Sequence, residues 1–308
     1  FKGFLFGMTA SSTFGLLPLF TLPVMSEGLT TNSILCYRML FASALVAVLM
    51  QVRKIAFRTN LRELLWFAFL GFFYYGSASL LFQAYGTMSS GVATTLHFLY
   101  PVGVTLIMAL VFKQRPSPFT ILAIILGLSG VALLSLKEGG GSSSASLVGI
   151  LLVLLSGLSY AAYLVTMNNV RRVRESNNLK LTLYVLIFSA LFFLLDTSLS
   201  GGLQMIPSGR ALTNLLLLAF LPTLVSNLAL VRAVKSIGST LTSVLGAMEP
   251  LTAIVIGVVV FGEEVTGPMA LGILLILLSV TIIVLSPLLD KNIADRLRRL
   301  SKRPIRRQ

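Results

Sequence analysis

Residues 240–264 read TLTSVLGAMEPLTAIVIGVVVFGEE, and they set one ionisable side chain, Glu249, in the middle of a long apolar run with Pro250 directly behind it. In lipid, a charge at a helix centre costs roughly 2.5 to 3.5 kcal/mol on insertion scales, and a proline removes a backbone donor besides. A segment that keeps both needs something to compensate for them.

The surrounding chain is equally apolar. Of 308 residues 56% are hydrophobic and 11% charged, with a mean hydropathy of +0.93, whereas soluble domains carry about 25% charged residues. That is the composition of a membrane protein. The single cysteine, Cys36, lies inside an apolar run, so neither a disulfide framework nor a cysteine-based metal site is available and the residue reads as core. The net charge of +14 does not take the form of a nucleic-acid footprint, which gathers basic residues on a soluble face. Here they fall in short loops and at the C-terminus, and no nucleic-acid partner is expected. Before Met25 the chain has one lysine and an apolar run without a clear small-residue cleavage site, which reads as a first span and not as a removable signal.

Windows of roughly 18 or more mostly apolar residues predict ten spans, at 3–25, 31–51, 63–84, 90–112, 117–136, 146–168, 179–200, 211–232, 240–261 and 267–288. Segments such as ALGILLILLSVTIIVLS, from Ala270, have no polar face and belong in lipid or a fully buried bundle. The fold class is therefore an all-α integral membrane protein. An even span count puts both termini on one side, and that side, with the loops after spans 2, 4, 6 and 8, holds 21 of the 24 lysines and arginines. Because cytoplasmic loops retain an excess of these residues, both termini are expected in the cytoplasm.

The stretch KEGGGSSSAS, from Lys137, is Gly/Ser-rich and reads as a flexible extracytoplasmic linker. It separates a first five-helix repeat (1–138) from a second (146–289), with the linker at 139–145 and a basic cytoplasmic tail at 290–308. Placing Pro101 on Pro250 aligns AYGTMSSGVATTLHFLYPVGVTLIMALVF with AVKSIGSTLTSVLGAMEPLTAIVIGVVVF, so that one offset of 149 covers two spans. More weakly, GFLFGMTASSTFG from Gly3 resembles GILLVLLSGLSYA from Gly149. Five spans is an odd number, so the second half enters the membrane from the opposite side and the halves are inverted repeats. Such repeats put a site near the midplane and let one chain open alternately to either side.

Ten spans in two sets of five, the EPLTAIVIGVVVFGEE pattern and the CYR of span 2 together resemble the drug/metabolite transporter superfamily, specifically its EamA-type members, over essentially the whole chain to about Pro287. The turn matching Phe-Gly-Glu in the first half departs from the pattern and reads FKQRPSP from Phe112. The resemblance implies a transporter of small metabolites, commonly an exporter, with a basket of helices around a central cavity, in a bacterial inner membrane. Small multidrug transporters of the same superfamily couple protons through a membrane glutamate in their first span, a position that Glu249 does not match.

Glu249 falls half-way through span 9, and Thr242, Gly246 and Glu249 share one helical face that is smaller or more polar than its surroundings. A carboxylate facing the cavity would bind a proton or a cationic group; alternatively it is a protonated structural carboxyl bonded to a neighbouring helix. The offset of 149 maps His97 on Gly246 and Tyr100 on Glu249, which predicts that they line the other wall. His97, the only histidine, belongs to a residue type that titrates near neutral pH, and a helix-to-helix hydrogen bond is the competing reading. Tyr100 offers an aromatic face and a hydroxyl, or packs as an ordinary core tyrosine. Arg38, inside span 2, reaches Glu249 or a substrate carboxylate through its donor fork, or snorkels outward. Pro101 and Pro250 kink both helices at the cavity, or are tolerated by neighbours. Tyr75, Ser79, Tyr160, Tyr163, Ser226 and Asn227 are further polar or aromatic positions whose direction the sequence leaves open.

The tail from Asp290 carries eight basic residues, with Ile293, Leu297 and Leu300 at spacings of three and four. It reads as an interfacial helix on anionic lipid or as a solvated tail that fixes orientation. Nothing resembles a phosphate-cradling loop, a paired-carboxylate site or a nucleophile with its base, so neither an enzyme nor a cofactor is expected. The expected function is a secondary transporter, an exporter of amino-acid-like or related small organic metabolites, acting as a monomer or homodimer. Coupling to protons and uncoupled export both remain open, as does a channel on the same scaffold. Topology is the first test: a reporter fused after Gly140 should lie outside the cytoplasm and one fused after Arg172 inside it. Labelling of both from one side would overturn the span count.

Overall fold

The computed structural model describes residues 1–85, 87, 93, 96–135, 147–261 and 267–301, and every regular element among them is helical. The linker expected at 139–145, the Gly262-Glu263 pair and tail residues 302–308 lie outside the described residues.

The chain runs α1 (Lys2–Phe14), α2 (Leu17–Ser26), α3 (Thr31–Val52), α4 (Leu61–Tyr85), α5 (Tyr100–Leu110), α6 (Pro118–Ser135), α7 (Leu147–Asn169), the short α8 (Arg171–Glu175) and α9 (Asn178–Leu199). It continues through α10 (Gly209–Ala219), a π-helical stretch (Phe220–Val225), α11 (Ser226–Leu245), α12 (Met248–Phe261) and α13 (Gly267–Ser301). Taking α1 with α2 and α10 with α11, six helices among the described residues are long and apolar enough to cross a membrane, and α5, α6 and the apolar part of α13 are shorter. Helices are what lipid demands, since each backbone polar group there must be satisfied within its own segment.

Two differences from the expected spans bear on function. Residues expected to end span 8 and begin span 9 are joined by Gly238, whose φ of +84° and ψ of 167° turn the chain inside α11. Glycine tolerates this left-handed backbone because it has no Cβ. The first span, expected to run unbroken over 3–25, is interrupted at Gly15–Leu16. At the other end of the chain, α13 continues past the expected limit of 288 into the tail without a break.

The bundle is apolar outside and mixed inside. Val48, Leu106, Ile125, Leu155, Leu195 and Leu274 are more than half exposed, a surface suited to lipid tails. Inside, small hydroxyls join helices through backbone carbonyls: Ser189 Oγ to Gly71 O at 3.0 Å, Ser159 Oγ to Phe73 O at 2.8 Å, Ser226 Oγ to Ala10 O at 2.8 Å and Ser279 Oγ to Ala123 O at 2.6 Å. In lipid the hydrophobic effect does not drive helices together, so close approach through small residues and such bonds carries the packing.

Helix contacts recur in pairs. α1 lies on α11 much as α7 lies on α4, and α12 touches α1 as α5 touches α7, while α6 packs on α13 and α3 on α9. Two clasps repeat in the same way. Tyr37 Oη donates to Gln204 O at 2.7 Å and Tyr184 Oη to Phe57 O at 2.7 Å, and both residues of the second pair are 147 positions from their counterparts in the first.

The contact of α6 with α13 is tight at Gly130, where an added Cβ would lie 2.8 Å from Gly272 O and 2.8 Å from Ile276 Cγ1. Gly130→Ile should therefore lower stability by about 1 to 3 kcal/mol, the usual cost of overpacking. Gly209→Ala, with nothing within 4 Å of the added methyl, should leave it near wild type. Thermal unfolding in detergent compares the two, and equal midpoints would contradict this packing.

Candidate functional site

The site forms where helices stop and restart. A helix running through α11 ends at Leu245, two residues turn, and α12 begins at Met248. The turn is held by bonds from Gly246 N to Ser243 O at 3.1 Å, Ala247 N to Val244 O at 3.1 Å and Glu249 N to Gly246 O at 2.9 Å. Glu249 and Pro250 thereby fall in the first turn of α12. Proline is at ease there, because first-turn N–H groups have no helical partner to lose. A carboxylate is at ease there too, because the exposed N–H groups make a helix start electropositive.

The same construction appears at α5, which restarts at Tyr100 with Pro101 in its first turn after a turn at Phe98–Leu99. Both expected kinks are thus helix restarts. The two restarts meet: a Cβ added at Gly246 would run into the Tyr100 hydroxyl, so glycine is what lets that hydroxyl reach the wall beside Glu249. The break in the first span meets them as well, since a Cβ on Gly15 would strike Glu249 O and come within 2.7 Å of Thr252 Cβ.

Between these elements lies a narrow cavity. Tyr100, Gly246, Glu249 and Thr242 line it. Of the positions left open, Tyr160, Ser226 and Asn227 also line it, whereas Tyr75, Ser79 and Tyr163 do not. Tyr74, Ser11 and Phe14 were not anticipated and complete the polar and aromatic wall. The rings are in contact, with centroids of Tyr100 and Tyr160 4.8 Å apart and those of Tyr160 and Tyr163 5.9 Å apart.

Glu249 is half-buried, and among the described residues no side chain or backbone group bonds to its carboxylate. Arg38 is its electrostatic partner at a distance. Arg38 is 3% exposed, and its guanidinium donates from Nε to Thr223 Oγ1 at 2.6 Å and from Nη2 to Pro222 O at 3.5 Å and lies 5.0 Å from the centroid of the Phe14 ring. It does not snorkel. No ion pair within 4 Å joins it to Glu249 among the described residues; instead Phe14 occupies the cavity wall with Arg38 packed against its ring. Thr223, its acceptor, donates in turn to Leu218 O at 2.8 Å across the π-helical stretch, a local widening that often marks functional positions.

His97 is not on the cavity wall. Its Nδ1 lies 3.0 Å from Ser156 Oγ, and that hydroxyl donates its one proton to Ser77 O at 2.5 Å. The serine must then accept, so Nδ1 carries a proton and His97 ties the approach to α5 onto α7 and α4. Its ring supports Tyr100 and Tyr160 from behind, with centroids 5.7 and 6.1 Å away.

A second, wider recess lies beside Gly238 and is lined by Gln114, Arg115, Asn168 and Asp290 among others. Toward the opposite end, α2, α3 and α10 pack together. Phe20, Val24, Leu29, Ile34, Leu215 and Leu218 form an apolar cluster there, and Ser208 Oγ bonds to Glu27 while Thr30 N donates to Gln204 Oε1 at 2.6 Å.

The family profile described as "EamA-like transporter family" matches residues 1–136 and 147–285. A protein of Synechocystis sp. named "Uncharacterized transporter sll1319" is 26% identical over 239 residues, covering 75% of this chain and 71% of that one. "Uncharacterized transporter YdfC" of Bacillus subtilis is 26% identical over 249 residues, covering 80% of this chain and 79% of its own. A solved crystal structure with 19% sequence identity superposes with a TM-score of 0.81 over 94% of this chain and 98% of its own, which is a likeness of fold.

The wall assignment predicts a labelling pattern. In membranes, and in a Cys36→Ser background, Ser11→Cys and Thr242→Cys should react with a water-soluble thiol reagent. His97→Cys, behind the tyrosines, and Val255→Cys, on the outer surface, should stay inert. Equal reaction at all four would contradict the cavity.

Proposed function

This chain belongs to the EamA-like transporter family, and on that premise we propose that it is a secondary transporter that exports small organic metabolites by alternating access, with Glu249 exchanging a proton for substrate. The observation that carries this reading is the Glu249 carboxylate, half-buried, facing the cavity where three interrupted helices meet, and bonded to no group among the described residues. An ionisable group at membrane depth is costly, and one retained without a structural partner is retained for what it binds. The groups that face or approach it are the Tyr100 and Tyr160 hydroxyls on the wall, with Arg38 behind Phe14 and His97 behind the tyrosines.

Alternating access requires two halves that exchange roles. The repeat at an offset of 149, the paired helix contacts and the two tyrosine clasps at an offset of 147 all support a pseudo-two-fold relation between five-helix repeats of opposite orientation. With the basic loops and both termini in the cytoplasm of a bacterial cell, the wide polar recess opens inward, and the end held by the Tyr37 and Glu27 contacts closes the outside. This is a state from which an exporter would load. Arg38, packed against Phe14, is a nearby positive charge that favours loss of the Glu249 proton when substrate takes its place. A channel would need a continuous path, and the narrow cavity with the apolar cluster of α2, α3 and α10 beyond it favours the transporter.

The metabolites released by cells with and without the protein identify the substrate, and with it the role of Glu249 can be separated into parts. Glu249→Gln keeps shape and hydrogen bonding while removing the charge, so the variant should fold and support counterflow, the exchange of labelled for unlabelled substrate without net proton movement. Uphill transport driven by a pH gradient should be lost. A variant that accumulates substrate at the wild-type rate would make Glu249 a structural group and the protein an uncoupled facilitator.

A further inference from the structure

Within the transport reading, on which this inference rests, the cavity wall narrows the chemistry of the substrate. Its polar groups are unequal in what they have left to offer. Among the donors, Ser226 Oγ is committed to Ala10 O at 2.8 Å, Thr242 Oγ1 to Gly238 O at 2.7 Å, and Asn227 Nδ2 to Thr223 O at 2.8 Å and Tyr74 Oη at 3.3 Å. The one guanidinium in reach, Arg38, spends Nε on Thr223 and packs on the Phe14 ring. What remains is one carboxylate, which only accepts, beside the hydroxyls of Tyr100, Tyr160 and Ser11, which accept as well as donate. The Glu249 carboxylate and the oxygens of Tyr100 and Tyr160 face the cavity with no hydrogen-bond partner among the described residues.

The rest of the wall is aromatic and apolar. Tyr74, Tyr100, Tyr160 and Phe14 supply π faces or edges, and Leu164 and Leu230 supply a hydrocarbon surface. Spare acceptors around one negative charge, with aromatic rings beside it, suit a donor-rich cation. The cavity is narrow in this state; where the transport cycle widens it, an ammonium group would give its N–H donors to Glu249 and the tyrosine oxygens, with a small apolar body on the leucines. A free carboxylate on the same ligand would meet the like charge of Glu249, and no lysine, arginine or histidine is among the residues lining the cavity to receive it. We propose that the central cavity binds protonated primary or secondary amines that carry no free carboxylate, and that it discriminates against the corresponding amino acids.

Three probes of nearly equal size separate charge from shape: 2-phenylethylamine, its uncharged counterpart 2-phenylethanol, and phenylalanine. Titrated by calorimetry into the full chain in lipid nanodiscs at pH 7, the amine should bind at least about tenfold more tightly than either of the others, the scale expected of a desolvated cation lost from an aromatic and carboxylate site. Glu249→Asp should retain the preference for amine over alcohol, and Glu249→Gln should reduce it to about threefold or less. Phenylalanine binding as tightly as the amine, a preference untouched by Glu249→Gln, or no binding of the amine would each overturn the inference. The transport reading fails separately: saturable, gradient-driven exchange of phenylalanine in proteoliposomes would leave the transporter standing while removing amine selectivity, whereas amine binding without exchange of any solute would do the reverse.

Discussion

The structure turns on an interruption two residues long. By stopping α11 at Leu245 and restarting at Met248, the chain moves Glu249 and Pro250 from the interior of a helix to its first turn. Each would be unfavourable in an unbroken membrane helix. At a helix start the proline gives up no hydrogen bond and the carboxylate meets the positive end of the backbone dipole. The exposed backbone is kept satisfied by tight turns at Gly246 and Ala247. What compensates a half-buried glutamate-proline pair is thus the backbone itself, and the carboxylate stays free of side-chain partners among the described residues.

Much of the surrounding packing follows from that break. Gly246 lacks a side chain because the Tyr100 hydroxyl passes where one would be, and Gly15 lacks one because α1 ends against the Glu249 carbonyl. Three interrupted helices therefore converge on one point, each held by a glycine or a proline. The cost of irregular backbone at membrane depth is tolerable only where protein or a cavity surrounds it, and here both do. Arg38 completes the arrangement from behind Phe14, a positive charge near the carboxylate that does not close on it as an ion pair.

The fold class was legible because apolar length is a direct consequence of bilayer thickness. The pairing of Tyr100 with Glu249 was legible because Pro101 and Pro250 mark equivalent restarts. The break in the first span was readable in principle: Gly15 followed by Pro18 in the first turn of α2 is a helix-restart signature, masked by the unbroken apolar run around it. Other features leave no local trace. Tyr74 and Tyr75 are adjacent, and only packing decides that Tyr74 faces the cavity. Thr223 meets Arg38 through a π-helical widening that has no sequence period of its own. His97 aligns with a cavity residue yet stands behind one, because Ser156 draws its ring toward α7. The tyrosine clasps escape alignment because their offset of 147 differs from the 149 of the prolines, so a single register cannot reveal both.

The central claim is that a carboxyl at a helix restart changes protonation when the cavity is filled. Infrared difference spectroscopy of protein labelled with ¹³C-glutamate reads this directly, at a pH where the ligand-free protein shows the C=O band of a protonated glutamic acid. The account predicts that saturating transported ligand removes one such band and that Glu249→Gln lacks it from the outset. Spectra that are unchanged by ligand, or that show the same band lost in wild type and variant alike, would contradict it.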